Sequence, residues 1–237
     1  MSVHPALVTG FAPYAGRGRN PAADIANALD GRSIAEVPIV GRLLPVALDQ
    51  IADKAESLLN ELKPRVVISM GLWPGETMVR IERVGLNLAD FEIPDNEHRL
   101  AHDEALSGNG PAAKFTTLPV RKIEATLLAA GIPSRISNSA GSFLCNACLY
   151  SFLSAAEKTQ GTRCGFVHVP YLPEQVAGLL QDLKQEAKLE AHQRADFASM
   201  DLATGTRAVA IALETALREP SSPRRVRNFD VHNHFGA

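Results

Sequence analysis

Short apolar runs that stop at glycine or proline alternate along this chain with segments whose apolar residues recur at helical spacing, and that rhythm constrains the fold more than any other feature. Ala6-Leu7-Val8-Thr9 is apolar, β-prone and ends at Gly10, which predicts a buried strand running into a loop with Pro13, Gly16 and Gly18. Asn20-Pro21 then supplies an N-cap with proline at the first helical position, and a helix is predicted to about Leu29, stopped by Gly31. A strand over Val37–Leu44 leads to Ile51, Ala55, Leu58, Leu59 and Leu62 on one helical face, and Arg65–Met70 is the next buried strand. Met78–Leu88 alternates in part. The turn cluster Ile93-Pro94-Asp95-Asn96 then opens a long polar loop through about Ala113, of the kind that is usually functional or mobile. Further on the pattern predicts a helix over Lys122–Ala130, a strand over Pro133–Ser137, a helix over Leu144–Ala155 and a strand over Gly165–Val169 stopped by Pro170. A charged helical stretch over Glu174–Arg194 and a helix over Met200–Leu217 follow. Such repetition predicts an α/β sheet with helices on both faces and sites in loops beyond the strand ends.

A chain of 237 residues allows one full domain or two small ones. There is no internal repeat or low-complexity linker, so a single domain over 1–237 is expected, with 221–237 as a solvated tail carrying Arg224, Arg225, Arg227, His232 and His234. Apolar residues at 46% and charged residues at 21% exclude disordered and collagen-like chains. The formal charge of −2, from 24 basic and 26 acidic side chains, leaves no surplus of cations for a phosphate backbone, so nucleic acid is not an expected partner. The apolar run Ala208–Leu213 is far short of the ~20 residues that span a bilayer, and the first residues lack the pattern of a secretory signal. No membrane partner and a cytoplasmic location are therefore expected. Cys145, Cys148 and Cys164, odd in number and few, fit a reducing compartment better than a disulfide framework.

Cys145 follows the small-residue turn Ser139-Ala140-Gly141-Ser142-Phe143 and sits at the start of an apolar helix. A thiol there feels the positive end of the helix dipole, which lowers its pKa, and the free N–H groups can receive an oxyanion. Taken alone, a cysteine in such a place is more often a small buried hydrophobe capping the helix. Cys148 completes a C-x-x-C, but no second pair exists to complete a zinc site. One turn below Cys145, it is expected to pack with Leu149 and Phe152, with a resolving thiol as the minor reading, and Cys164 is expected to be structural. His168, at a strand end, reads equally as a general base or as a satisfied core histidine. Glu82, within Ile81-Glu82-Arg83-Val84, is either a surface residue on an alternating strand or the carboxylate that orients a histidine; the residues alone favour the surface. Gly10 to Gly18 contains no nucleotide-binding glycine motif. His98, His102 and Asp103, like His232 and His234, are expected to be solvated and to hold no metal.

Several stretches together resemble pyroglutamyl peptidase I, the pyrrolidone carboxyl peptidases. They are Val8-Thr9-Gly10-Phe11-Ala12-Pro13-Tyr14-Ala15-Gly16 with Asn20-Pro21, Ile81-Glu82-Arg83-Val84-Gly85-Leu86-Asn87, Ile93-Pro94-Asp95-Asn96, Ser139-Ala140-Gly141-Ser142-Phe143-Leu144-Cys145-Asn146, and Gly165-Phe166-Val167-His168-Val169-Pro170-Tyr171-Leu172-Pro173-Glu174-Gln175. The resemblance implies a three-layer α/β/α sandwich with a mixed central sheet, usually tetrameric, and a cysteine exopeptidase that hydrolyses the amide after an N-terminal pyroglutamyl residue of peptides. It implies Cys145 as nucleophile, His168 as general acid/base and Glu82 as orienting carboxylate, with Phe11, Tyr14, Ile93, Phe143 and Leu144 around the lactam ring. No metal or organic cofactor is implied. The chain departs from the family's pattern at Ala12-Pro13-Tyr14-Ala15-Gly16, where Asp-Pro-Phe-Gly-Gly is common, at Leu72, where many members carry glutamine, and at Glu92, which stands where arginine is usual. A carboxylate approaching the site at position 92 would raise the cysteine pKa where a cation would lower it. These departures leave open a related small-lactam or N-acyl amidase, or a binding protein impaired in turnover on the same fold; a dithiol redox role for Cys145 and Cys148 is more distant.

Overall fold

A computed structural model describes residues 4–16, 18–159, 161–188 and 197–220. In chain order its elements are β1 (Ala6–Phe11), α1 (Pro21–Leu29), β2 (Ser33–Ile34), β3 (Val37–Leu44), α2 (Leu48–Leu62), β4 (Val66–Leu72), β5 (Val79–Glu82), β6 (Val84–Leu86), β7 (Ala113–Phe115), α3 (Val120–Ala129), β8 (Ser134–Ser137), α4 (Leu144–Ala156), β9 (Arg163–Val169), α5 (Pro173–Gln185) and α6 (Leu202–Arg218). Helix α1 begins as its sequence dictates: Asn20 Oδ1 accepts from the Ala22 N–H at 3.1 Å, and Pro21 occupies the first turn, where a missing donor costs nothing. Residues 221–237, including the predicted tail with His232 and His234, lie outside the described residues; the helix predicted over Glu174–Arg194 ends at Gln185, followed by Ala187 at φ 54°, and its positions 189–194 also lie outside the described residues.

A seven-stranded sheet runs in the order β2-β3-β1-β4-β9-β5-β8, and β6 and β7 form a separate pair. Strands β3, β1, β4 and β9 are mutually parallel, whereas β5 pairs antiparallel with β9 and parallel with β8, so the sheet is mixed. Residue alternation decides what each face meets. Ala6, Val8, Ile68, Met70, Ile81 and Val167 point to a core shared with α1, α3 and α6. Leu7, Phe11, Val67, Cys164 and Phe166 point the other way, to a core shared with α2 and α4. This is the α/β sheet with helices on both faces that the alternation predicts, in the three-layer form with a mixed sheet that the family resemblance implies.

The loop expected from Ile93 to about Ala113 is present within a segment, 87–112, that contains no named helix or strand, but this segment is packed rather than purely polar. It folds back on itself through the Ala89–Glu104 bridge and a Phe91 N–H bond to the Ala101 carbonyl at 2.8 Å, and it buries Ala89, Phe91 and Ala101. Asp95 anchors it: one carboxylate oxygen accepts the Leu48 N–H at 2.8 Å, and the other accepts the N–H groups of Glu97 and Arg99 at 2.9 Å each. Asn96 donates to the Pro13 carbonyl at 3.0 Å, which ties this turn to the first loop.

Candidate active site

Strands β4 and β9 run in register, so Gly71 lies opposite His168, and β5 returns antiparallel to place Arg80 opposite His168 and Glu82 opposite Phe166. Because β-strand side chains alternate, His168, Arg80 and Glu82 all leave the sheet on the face covered by α4. His168 and Glu82 are 1% and 0% exposed, which overturns the surface reading of Glu82. Its burial is made tolerable by partners: Glu82 Oε1 lies 2.8 Å from His168 Nδ1 and accepts from Arg80 Nε at 3.2 Å. Glu82 Oε2 has no hydrogen-bond partner among the described residues. With Nδ1 donating to the carboxylate, the free nitrogen of the neutral ring is Nε2.

Cys145 is the second residue of α4. The backbone N–H groups of Leu144 and Cys145 belong to the first turn, which an α-helix leaves unpaired, and they have no partner among the described residues. The helix start is pinned by Asn146, fully buried, whose Oδ1 accepts the Leu86 N–H at 2.8 Å and whose Nδ2 donates to the Leu86 and Leu88 carbonyls at 2.9 and 2.8 Å. The preceding turn is held by Ser142, which donates to the Asp90 carbonyl at 2.6 Å. Cys148 packs in the core with Leu149 and Phe152, as expected, and burial pushes its thiol up to about 12 despite a hydrogen bond with Ser69. Cys164 is likewise fully buried.

Two adjoining cavities meet at Tyr14, Leu72, Phe143 and Cys145. One, of about 20 Å³, is walled by Phe11, Tyr14, Phe143 and Leu144; the other, of about 400 Å³, is bounded by Cys145, His168, Trp73, Ile93 and Glu92. All the residues that the resemblance places at a lactam ring therefore border this space. Cys145 and His168 share the wall of the larger cavity, with no direct hydrogen bond between thiol and imidazole among the described residues.

Although Cys145 keeps partial exposure at the cavity, desolvation, followed by Cys148 and Glu82, pushes its thiol above the ordinary value. Burial also pushes His168 below its ordinary value, against the upward pull of Glu82. Glu92 is exposed at the cavity rim and is not among the groups that move the cysteine.

Gly71, Trp73 and Arg80 are neighbours that the sequence reading did not single out. A Cβ at Gly71 would lie 2.6 Å from Cys145 Sγ and 3.0 Å from the Phe166 ring. The missing side chain lets the thiol rest against the strand next to His168. Gly71→Ala is expected to lower kcat by ~10–100-fold, because a misplacement of about 1 Å is costly to a reacting pair. Steady-state kinetics with a thermal-melt control check this, since overpacking alone costs ~1–3 kcal/mol. Arg80 carried one readable signal, its i, i+2 relation to Glu82 on the same strand face.

A helix-borne thiol, unpaired N–H groups beside it and a buried imidazole–carboxylate pair on one cavity have the chemistry that nucleophilic thiol catalysis requires. The comparisons with known proteins specify it further. The family model for pyroglutamyl peptidase matches residues 4–219. The chain is 44% identical over 171 residues to the pyrrolidone-carboxylate peptidase of Pyrococcus furiosus, covering 72% of this chain and 82% of that protein. It is 37% identical over 215 residues to that of Enterobacter sp., covering 91% and 94%. A mutant pyrrolidone carboxyl peptidase from Pyrococcus furiosus superposes with a TM-score of 0.82 at 39% identity, covering 90% of this chain and 98% of that one. The enzyme of Thermococcus litoralis superposes with a TM-score of 0.82 at 34% identity, covering 90% and 93%. The chain belongs to the pyroglutamyl peptidase family.

Proposed function

We propose that this protein hydrolyses the amide bond after an N-terminal pyroglutamyl residue through a thioester on Cys145. The observation that carries the reading is the convergence of Cys145 and the Glu82-bound His168 on one cavity whose adjoining pocket is walled by aromatic and aliphatic side chains. His168 Nε2 takes the thiol proton as Sγ attacks the carbonyl carbon, so no preformed ion pair is needed. The Leu144 and Cys145 N–H groups hold the oxyanion, and collapse breaks the C–N bond while His168 returns the proton to the departing amine. Water then attacks the thioester with His168 again as base, releasing pyroglutamate and restoring the thiol. Glu82 holds the ring in the tautomer that leaves Nε2 free and stabilises the imidazolium. Catalytic hydrogen bonds are commonly long before substrate binds and tighten with it, in keeping with the open thiol–imidazole arrangement.

Phe11, Tyr14, Ile93, Phe143 and Leu144 supply apolar walls for the small neutral lactam. The smaller cavity has room for about one water, so the ring enters it as Tyr14 and Phe143, whose centroids are 6.1 Å apart, separate. The same proposal comprises a single peptidase domain, a homotetramer and a cytoplasmic location, which rest on the family resemblance and on three free thiols. No helix among the described residues is long and apolar enough to cross a membrane.

The test is a pair of fluorogenic amides. Pyroglutamyl 7-amido-4-methylcoumarin is expected to be cleaved, and the prolyl analogue, charged at its ring nitrogen and lacking the lactam carbonyl, to be cleaved at least ~100-fold more slowly. Equal rates would place the specificity outside the lactam and favour a broader amidase.

A further inference from the structure

Strand β5 sends two charged side chains toward α4, Glu82 and Arg80, and only the first has a part in the reaction as derived so far. Arg80 is 7% exposed. Its Nε donates to Glu82 Oε1 at 3.2 Å and one terminal nitrogen to Glu76 at 3.4 Å; the other donates to Ser137 Oγ at 2.7 Å and to the Ser139 carbonyl at 2.8 Å. The guanidinium lies 3.8 Å from the centroid of the Trp73 ring, and Trp73 in turn meets the His168 ring edge-on at 4.9 Å.

These partners fall on both arms of the site. Glu82 Oε1 is the same atom that His168 Nδ1 uses. Ser139 opens the turn that delivers Cys145, a turn closed by a Gly141 N–H bond to Ser139 Oγ at 3.2 Å with Gly141 at φ 79°. The guanidinium is therefore a bolt between the imidazole–carboxylate pair on the sheet and the turn at the head of α4.

We propose that Arg80 is a positioning residue for the hydrolysis, one buried fork that fixes the Glu82–His168 pair and the Ser139–Phe143 turn relative to each other so that imidazole and thiol stay in register through both halves of the reaction. The inference rests on the roles proposed above for Glu82, Cys145 and His168. A purely structural buried charge gains little over an apolar side chain of similar volume, whereas a planar fork with fixed donor directions orients several acceptors at once. The charge has a second effect. The ionisable groups around His168 are Glu82 and Arg80 on β5, Glu76 after β4 and Cys145 on α4; among them Arg80 opposes a proton on the imidazole, while Glu82 and Glu76 favour it. Removing the guanidinium therefore makes His168 easier to protonate, and a base protonated at higher pH moves the acid limb of kcat/KM upward.

The experiment compares wild type, Arg80→Gln and Arg80→Lys on pyroglutamyl 7-amido-4-methylcoumarin across pH, with circular dichroism to confirm folding. Arg80→Gln is expected to lose ~30–100-fold in kcat with KM within about threefold, and to shift the acid limb to higher pH. Arg80→Lys is expected to restore the acid limb, because the charge returns, but to leave kcat ~10-fold or more below wild type, because an ammonium cannot span Glu82 and Ser139 together. A lysine variant within about twofold of wild-type kcat overturns the proposal, as does a glutamine variant whose loss is confined to KM with an unmoved pH profile. If Arg80→Gln does not fold, the lysine variant decides alone by the same criterion. A wild-type protein that does not cleave the amide, or a Cys145→Ala protein as active as wild type, would instead overturn the site reading on which this rests.

Discussion

Cys145→Ala is expected to lower kcat by ~10⁴-fold or more while leaving the fold intact. The size of the effect follows from what the thiol supplies. Without it no covalent intermediate forms, the amide must be cleaved by water in one step, and His168 has no acidic partner from which to draw a proton. What remains is the contribution of binding and of the Leu144 and Cys145 N–H groups. Cys145 is partly exposed at the cavity, so losing one sulfur creates little buried void, and the melting temperature is expected to stay within a few degrees of wild type. Mass spectrometry of enzyme quenched during turnover adds a direct readout: an adduct of one pyroglutamyl group on Cys145 in wild type and none in the variant. An adduct that persists on another residue would move the nucleophile, with Cys148 the nearest thiol in sequence.

The second large effect is expected at Glu82, where two substitutions should separate charge from geometry. Glu82→Ala removes the acceptor shared by His168 Nδ1 and Arg80 Nε and leaves the guanidinium buried beside a void. Loss of one partner of a buried ion pair costs ~3–5 kcal/mol, and a triad without its orienting carboxylate loses ~10³–10⁴-fold in kcat. Glu82→Gln keeps an oxygen that both Nε–H of Arg80 and Nδ1–H of His168 can bond, and because both neighbours are donors the amide is held with its oxygen toward them. The histidine then retains the tautomer with Nε2 free, and only the charge that stabilises imidazolium is lost, so the fall is expected to be nearer ~10²-fold. The amide nitrogen would occupy the site of Oε2, already without a partner, so stability should drop by ~1–3 kcal/mol. Urea unfolding midpoints and kcat for the two variants check this. A glutamine variant as slow as the alanine variant would show that its amide had turned over.

Most of the longer strands and helices were legible because each carries its own period, whereas the short β2 and β7 and the end of α5 at Gln185 were not. The predicted strand Val37–Leu44 is β3 to the residue, and the helix predicted from Pro21 to Leu29 is α1, since Asn20, Pro21 and Gly31 mark its ends chemically. What the pattern does not encode is which strands become neighbours. Val79-Arg80-Ile81-Glu82 alternates apolar and charged, the signature of a strand with one wet face, yet all four residues are buried because the charged face lies under α4 and its charges neutralise one another. Glu82 was therefore misread by its local pattern and placed by family resemblance. The antiparallel pairing of β5 with β9, which sets Arg80 across from His168, is a property of topology with no local mark in the chain. Asp95 was readable as a turn residue but not as a hub, because its partner at Leu48 is 47 residues away.

The bare backbone at Gly71 carries a warning for anyone seeking a hardier version of this enzyme. Glycine within a strand is an ordinary target for rigidification, since a side chain narrows the denatured ensemble and gains ~0.4–1 kcal/mol where the native backbone can accept it. Here the van der Waals room such a carbon would need is already filled by the Cys145 sulfur and the Phe166 ring. A side chain there is expected to lose durability and turnover together, so the stabilising logic of filling strand glycines reverses at this position.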